Sequence, residues 1–196
     1  RNVIDNIVKA HNKDRQVVLA IGAHVIKCGL SSIVIDLMKR GIITAVAMNG
    51  AGAIHDYEIS LIGGTSEDVL HSLKDGTFGM AKETAEAIQD AASVPECGLG
   101  RALGDKIIKD MNKHKQYSIL AEGARLNIPI TVHVAIGTET IHMHPCISGA
   151  DMGESSHVDF RKLCSVVSEL EGGGWLNVGS AVIMPEVFLK AITVAR

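Results

Sequence analysis

Aromatic residues make up only 3% of this 196-residue chain, and no apolar run reaches the length of a membrane-spanning helix. A core without aromatics must be filled by Val, Ile, Leu and Ala at close quarters, as in parallel strands covered by helices on both faces. Basic clusters are absent too, and the net charge is −3. That excludes the concentrated positive face of a nucleic-acid binder. The four cysteines, Cys28, Cys97, Cys146 and Cys164, show no CxxC spacing, which suits reduced thiols rather than a disulfide frame or a structural zinc site. No GxGxxG fingerprint and no nucleophile-elbow serine occur. The opening RNVIDNIVKAHNKD is amphipathic and unlike a signal peptide. These absences predict a soluble, cytoplasmic protein without nucleic acid or membrane as partner.

What is present is a 46% hydrophobic, glycine-rich chain of single-domain length. It opens on Arg1 and closes on FLKAITVAR, an uncapped helical pattern, as a fragment of a longer chain would. One α/β nucleotide-binding domain over residues 1–196 is expected.

Four apolar runs read as strands. VVLAIGAH breaks at Gly22, and Ile43 to Asn49 precedes a Gly-rich stretch. IPITVHVAIGT runs up to Gly137, and WLNVGSA comes last. Between them lie helical patterns. SSIVIDLMKRG takes Ser31 or Ser32 as its cap and Gly41 as its terminator. The middle of the chain carries TSEDVLHSLKDG, FGMAKETAEAIQDAA, LGRALGDKIIKDMNKH and YSILAEGARLN. In the third of these, Gly100 and Gly104 weaken the case for one unbroken helix. HVDFRKLCSVVSELEGGG sets Phe160, Leu163, Val167 and Leu170 on one face, and Pro185 suits the first turn of a last helix. Strands alternating with helices predict a Rossmann-like open parallel sheet with helices on both faces.

In such sheets ligands bind beyond the carboxyl ends of the strands, so four loops hold the candidate chemistry. Asn49, Gly50, Ala51 and Gly52 follow a buried strand and let backbone amides approach a pyrophosphate. His55, Asp56 and Glu58 stand beside them as groups for proton transfer or for a ribose hydroxyl; the plainer alternative is a helix-starting Asp next to a surface His. The loop from Gly22 to Gly29 brings His24 and Lys27 to the same edge, where Lys27 pairs with an anion or is simply solvated. Gly179 and Ser180 precede a helix and suit an anion as well. The fourth loop carries Thr138, Glu139 and an HxH pair, His142 and His144. On an extended segment both imidazoles would face one side, as a metal pair or as the wall of a polar substrate pocket.

GAHVIKCGL, VAMNGAGAIHDYE, HVAIGTETIHMHP and GGGWLNVGSAVIMPEVF together resemble the deoxyhypusine synthase-like group of NAD-binding folds. That group includes lysine-ketoglutarate reductase/saccharopine dehydrogenase-like proteins and ornithine cyclodeaminase relatives. The resemblance implies a deoxyhypusine synthase-like NAD/FAD-binding fold with NAD as the cofactor. Asn49, Gly50, Ala51 and Gly52 would lie near it, Thr138 and Glu139 beside it, and Gly179 and Ser180 at a further edge. Deoxyhypusine synthase uses a lysine in a Trp-Gly-Lys setting, whereas Trp175 here is followed by leucine. That activity is therefore not implied.

The expectation is an NAD-dependent enzyme for a small polar, amine or amino-acid-like substrate. His55, Asp56 or His142 would serve as the acid–base group, Gly22 would join the cofactor loops, and His24, Lys27 and His144 would face the substrate. A homo-oligomer without a metal is expected. The alternatives are a metal-dependent hydrolase built on the HxH pair, or a nucleotide-binding module without catalysis.

Overall fold

A computed structural model describes residues 2–65, 74, 79 and 81–196. Four five- or four-residue strands, β1 (Val17–Ile21), β2 (Ala45–Asn49), β3 (Ile130–His133) and β4 (Gly174–Val178), form one parallel sheet in the order β3-β2-β1-β4. The first three strands are almost wholly buried, as their unbroken apolar runs require.

Helices α1 (Asn2–His11), α2 (Ala23–Lys27), α3 (Ser31–Lys39), α4 (Gly50–Ile62), α5 (Lys82–Ala92), α6 (Leu99–Lys109), α7 (Ile119–Leu126), α8 (Gly149–Ser168) and α9 (Ile183–Ala195) surround the sheet. Leu19, Ile21, Val46, Met48, Ile130 and Val132 point to one face and join the larger core, packed under α2 to α7. Ala20 and Ala47 point the other way, onto Leu163 and Val167 of α8 and Met184 and Ala191 of α9. Trp175 stacks on Phe188 there, with ring centroids 4.3 Å apart. Strands β1 to β3 step in one direction across the sheet, and the chain then returns past β1 to place β4. Right-handed crossovers accordingly put α8 on the opposite face from α3 and α4.

Several local expectations change. Gly100 and Gly104 interrupt nothing: α6 runs straight through them, and glycine is needed there because a Cβ at Gly100 would strike Ile130 O and one at Gly104 would lie 2.5 Å from Leu120 O. The glycines allow α6 to pack closely against β3 and α7. Neither serine caps α3; Leu30 occupies that position and lends no side-chain hydrogen bond. The third strand ends at His133, four residues before Gly137. Most of the expected helix TSEDVLHSLKDG, with the opening of the next, lies outside the described residues.

The outer margin of β3 is closed by α8. Ser156 Oγ accepts from Val134 N at 3.0 Å and donates to Val132 O at 3.1 Å, while Asp159 Oδ2 accepts from Val132 N at 2.9 Å and from Gly100 N at 2.8 Å. Side chains thereby replace the ladder of a missing strand. No helix among the described residues is long and apolar enough to cross a membrane.

Candidate functional site

The chain reverses its direction of travel across the sheet between β1 and β4, and the loops leaving these two strands meet there. Gly22 N donates to Val178 O at 2.9 Å. A Cβ on Gly22 would fall onto Gly179 O and within 3.2 Å of Ser180 N, so only glycine fits. Gly179 turns with a φ of +75°. Ser180, three residues before α9, braces its first turn: its Oγ accepts from Met184 N at 3.1 Å, and its carbonyl accepts from Asn177 Nδ2 at 2.8 Å.

The second corner is the junction of β2 and α4. The expected Gly-rich loop is the first turn of that helix, capped by Asn49, whose Oδ1 accepts from Gly52 N at 3.0 Å. Gly50 is buried beneath Glu139; a Cβ there would lie 2.7 Å from both Cδ and Oε1 of the glutamate. Glu139 Oε1 accepts weakly from Ala135 N at 3.3 Å, and Oε2 lies 3.4 Å from His142 Nδ1. His142 Nδ1 accepts from Gly137 N at 3.0 Å. With that lone pair engaged, a neutral ring carries its proton on Nε2, and the approach to Glu139 is an ion pair only when the ring is protonated. Burial pushes the Glu139 carboxyl above its ordinary range, opposed by the Ala135 N–H and by His142. Glu139 Oε2 and His142 Nε2 are both buried without a hydrogen-bond partner. They border a cavity of about 10 Å³ with Gly50, Val132 and Met152, room for roughly one water. A buried carboxyl and an imidazole on either side of such a cavity can exchange a proton through the water it has room for.

The remaining sequence candidates fall elsewhere. Asp56 is fully buried and faces away from this corner: it accepts from Ser118 Oγ at 2.5 Å, Ile119 N at 2.8 Å and Leu120 N at 3.1 Å, anchoring the start of α7. Burial lifts its pKa to about 6 against those hydrogen bonds. His55, its neighbour, lies on another side of α4 and pairs with Glu58 at 3.0 Å, since successive helical residues do not share a face. Thr138 is exposed and donates to Ala135 O at 2.8 Å. Ala51 lies in the first turn of α4, and His24 and Lys27 are exposed on α2.

The HxH segment is not extended. Thr140–Met143 forms a 3-10 turn, so His142 points inward while His144 turns to Cys146, with Nδ1 2.9 Å from Sγ. Among the described residues no three His, Cys, Asp or Glu side chains converge in a metal-holding group.

Two further groups matter: His133, weighed in the sequence only as a possible third metal ligand beside the HxH pair, and Asp159, which the sequence reading missed. His133, at the end of β3, is buried, holds Thr131 Oγ1 at 2.9 Å, and is pushed down to about 4 by burial, hence neutral. It borders a cavity of about 280 Å³ with Ser156, His157 and Phe160. Asp159 is buried too, with its carboxyl raised to about 7 by burial and Oδ1 unpartnered. Its signal in the sequence is its place in the apolar stripe of α8, in step with Met152, Ser155, Leu163 and Val167.

No protein-family model and no curated protein matches the sequence. Solved structures do. A conserved putative LOR/SDH protein from Methanococcus maripaludis S2 matches with a TM-score of 0.61 at 14% identity, over 99% of this chain and 59% of that one. ArgZ, an arginine dihydrolase from the ornithine-ammonia cycle in cyanobacteria, matches with 0.58 at 16% identity, over 99% of this chain and 24% of that one. AgrE, solved as a ternary complex with ornithine and NAD+, matches with 0.57 at 16% identity, over 97% and 25%. The chain thus spans about a quarter of ArgZ and AgrE. These likenesses show a shared Rossmann-like fold and give no specific support to deoxyhypusine synthase.

Proposed function

We propose that this chain is the NAD-binding domain of an NAD-dependent enzyme acting on a small polar, amine or amino-acid-like substrate. The observation that carries the reading is the reversal between β1 and β4, where Gly22 and Gly179 bring bare backbone together at the carboxyl edge of a parallel sheet. The likeness to AgrE, crystallised with ornithine and NAD+, supports both the cofactor and the substrate class.

In this reading Gly22, Asn49, Gly50, Ala51, Gly52, Thr138, Glu139, Gly179 and Ser180 border NAD, which supplies a hydride acceptor when bound. The fit rests on two close approaches that only glycine permits, the β1 loop against the β4 loop at Gly22 and Glu139 against the first turn of α4 at Gly50, which together draw these loops to one edge of the sheet. His142 is the acid–base group: Gly137 N–H fixes the ring, and its buried, unpartnered Nε2 borders the small cavity beside Gly50 and Glu139, through which a single water would relay the proton. Glu139, with Oε2 buried 3.4 Å from Nδ1, shares that cavity and buffers the proton. His144, with its Nδ1 engaged by Cys146, forms the outer wall on the substrate side. Asp56 carries no part of this chemistry, because its oxygens are spent on α7. The protein assembles as a homo-oligomer through α9, whose Leu189 and Val194 are exposed.

Thermal denaturation with NAD or NADH tests the reading. At about 100 times its dissociation constant a native-state ligand contributes roughly 2.7 kcal/mol, a rise of about 5 to 10 °C for a domain of this size. A midpoint unmoved by millimolar NAD and NADH overturns it.

A further inference from the structure

The turn between α2 and α3 opens a cavity of about 350 Å³ bordered by Lys27, Gly29, Ser31, Ser32, Thr65 and Tyr117, together with residues from the end of α4. Its polar lining is of one kind: four hydroxyls and one ammonium, with no carboxylate among the described lining residues. Lys27 is exposed and has no ion-pair or hydrogen-bond partner among the described residues.

The N-terminus of α3 lies at this cavity. Leu30 supplies no side-chain cap, and the first N–H groups to close back onto the turn are those of Ile33 and Val34, both on Leu30 O. The N–H groups of Ser31 and Ser32 have no backbone acceptor among the described residues. A nine-residue helix with uncapped N–H groups attracts an anion. A second observation is independent of the helix: Ser31 is 4% exposed and its Oγ is buried without any hydrogen-bond partner. A buried hydroxyl left unpaired costs free energy that a bound acceptor recovers. Gly29, with a φ of +77° and nothing within 4 Å of a Cβ, leaves the entrance clear.

We infer that this cavity is an anion site for a phosphate monoester, held by the Lys27 ammonium, the Ser31 hydroxyl and the N–H groups of Ser31 and Ser32. Ser32, Thr65 and Tyr117 present their hydroxyls to the rest of the ester. A phosphate monoester matches the set because it brings acceptor oxygens and up to two negative charges to donors only. The site is separate from the corner assigned to NAD and does not rest on that assignment.

Isothermal titration of the protein with inorganic phosphate and with glycerol 3-phosphate, at ionic strength held constant with chloride, tests this. Saturable binding of both is expected, weakened at least tenfold by Lys27→Gln and by Ser31→Ala; the serine variant removes one oxygen and keeps the helix. The Gly50→Ala variant, altered at the proposed NAD corner, should bind phosphate as the wild type does. Absence of saturable binding, binding unchanged in both Lys27→Gln and Ser31→Ala, or binding lost in Gly50→Ala or displaced competitively by NAD would each overturn the site.

Discussion

Asp159 holds the backbone N–H of Val132 with a carboxylate oxygen at 2.9 Å, in the place where a neighbouring strand would have put a carbonyl. The same oxygen takes Gly100 N at 2.8 Å, so one buried side chain joins α8, β3 and α6.

That arrangement has a pH signature. Burial raises the Asp159 carboxyl from 3.8 to about 7, so between these values the folded state keeps a proton that the unfolded chain releases. Its contribution to stability is therefore fully present below about pH 4 and is lost as pH rises through about 7. Asp56, raised to about 6, acts in the same direction over a narrower window. Asp159→Asn should flatten the Asp159 part: between pH 5 and pH 8 the variant should lose less stability than the wild type, by on the order of 2 kcal/mol. Urea unfolding at both pH values measures this, and parallel losses would contradict it.

Gly50→Ala should expel the Glu139 side chain, because the new methyl would stand 2.7 Å from its carboxyl carbon. The glutamate is the yielding partner, so the fold should survive. NADH affinity, read by fluorescence titration, should fall at least tenfold. A folded variant with unaltered affinity would move the cofactor away from α4.

His142→Ala should abolish most turnover while leaving NAD binding within about threefold, as expected for a group that moves a proton rather than holding the cofactor. The same variant separates the metal alternative. Elemental analysis of the purified protein should find no stoichiometric zinc, iron or nickel; about one metal per chain, lost in His142→Ala/His144→Ala, would make metal-assisted hydrolysis the better reading.

The exposed apolar side chains of α9, Leu189 and Val194, should support self-association. Light scattering at micromolar concentration should give a mass above 20.8 kDa, returning toward it in Leu189→Lys/Val194→Lys. A monomer in the unaltered protein would refute the assignment.

The layered fold was legible because β1 and β2 are short continuous apolar runs ended by Gly22 and Asn49, a pattern fixed by burial on both faces, and β3 keeps its β-branched residues although it stops at His133, short of the glycine. The site was legible in outline only. Asn49 to Ala53 read as a loop because glycine disfavours helices, yet Asn49 caps the turn and Gly50 is needed for Glu139 to lie on it. His142 and His144 read as a pair because alternation implies a shared side, a rule that fails once the segment winds into a 3-10 turn. Asp56 looked chemical beside His55, but its role depends on Ser118, Ile119 and Leu120, over sixty residues away. Contacts of that separation leave no local pattern to read.

The two margins of the sheet are unequal. Ser156 and Asp159 bond the outer backbone groups of Val132 and Val134 at the end of β3, whereas among the described residues no side chain bonds the backbone of β4, and Val178 is 45% exposed. The domain is therefore a one-ended connector. A fused segment, an inserted hairpin or a strand lent by another molecule can extend it beside β4 at little cost, while any addition beside β3 must first dislodge α8 and with it Asp159. Engineering that lengthens the sheet should begin at the β4 margin, farthest in the strand order from β3 and its partner β2.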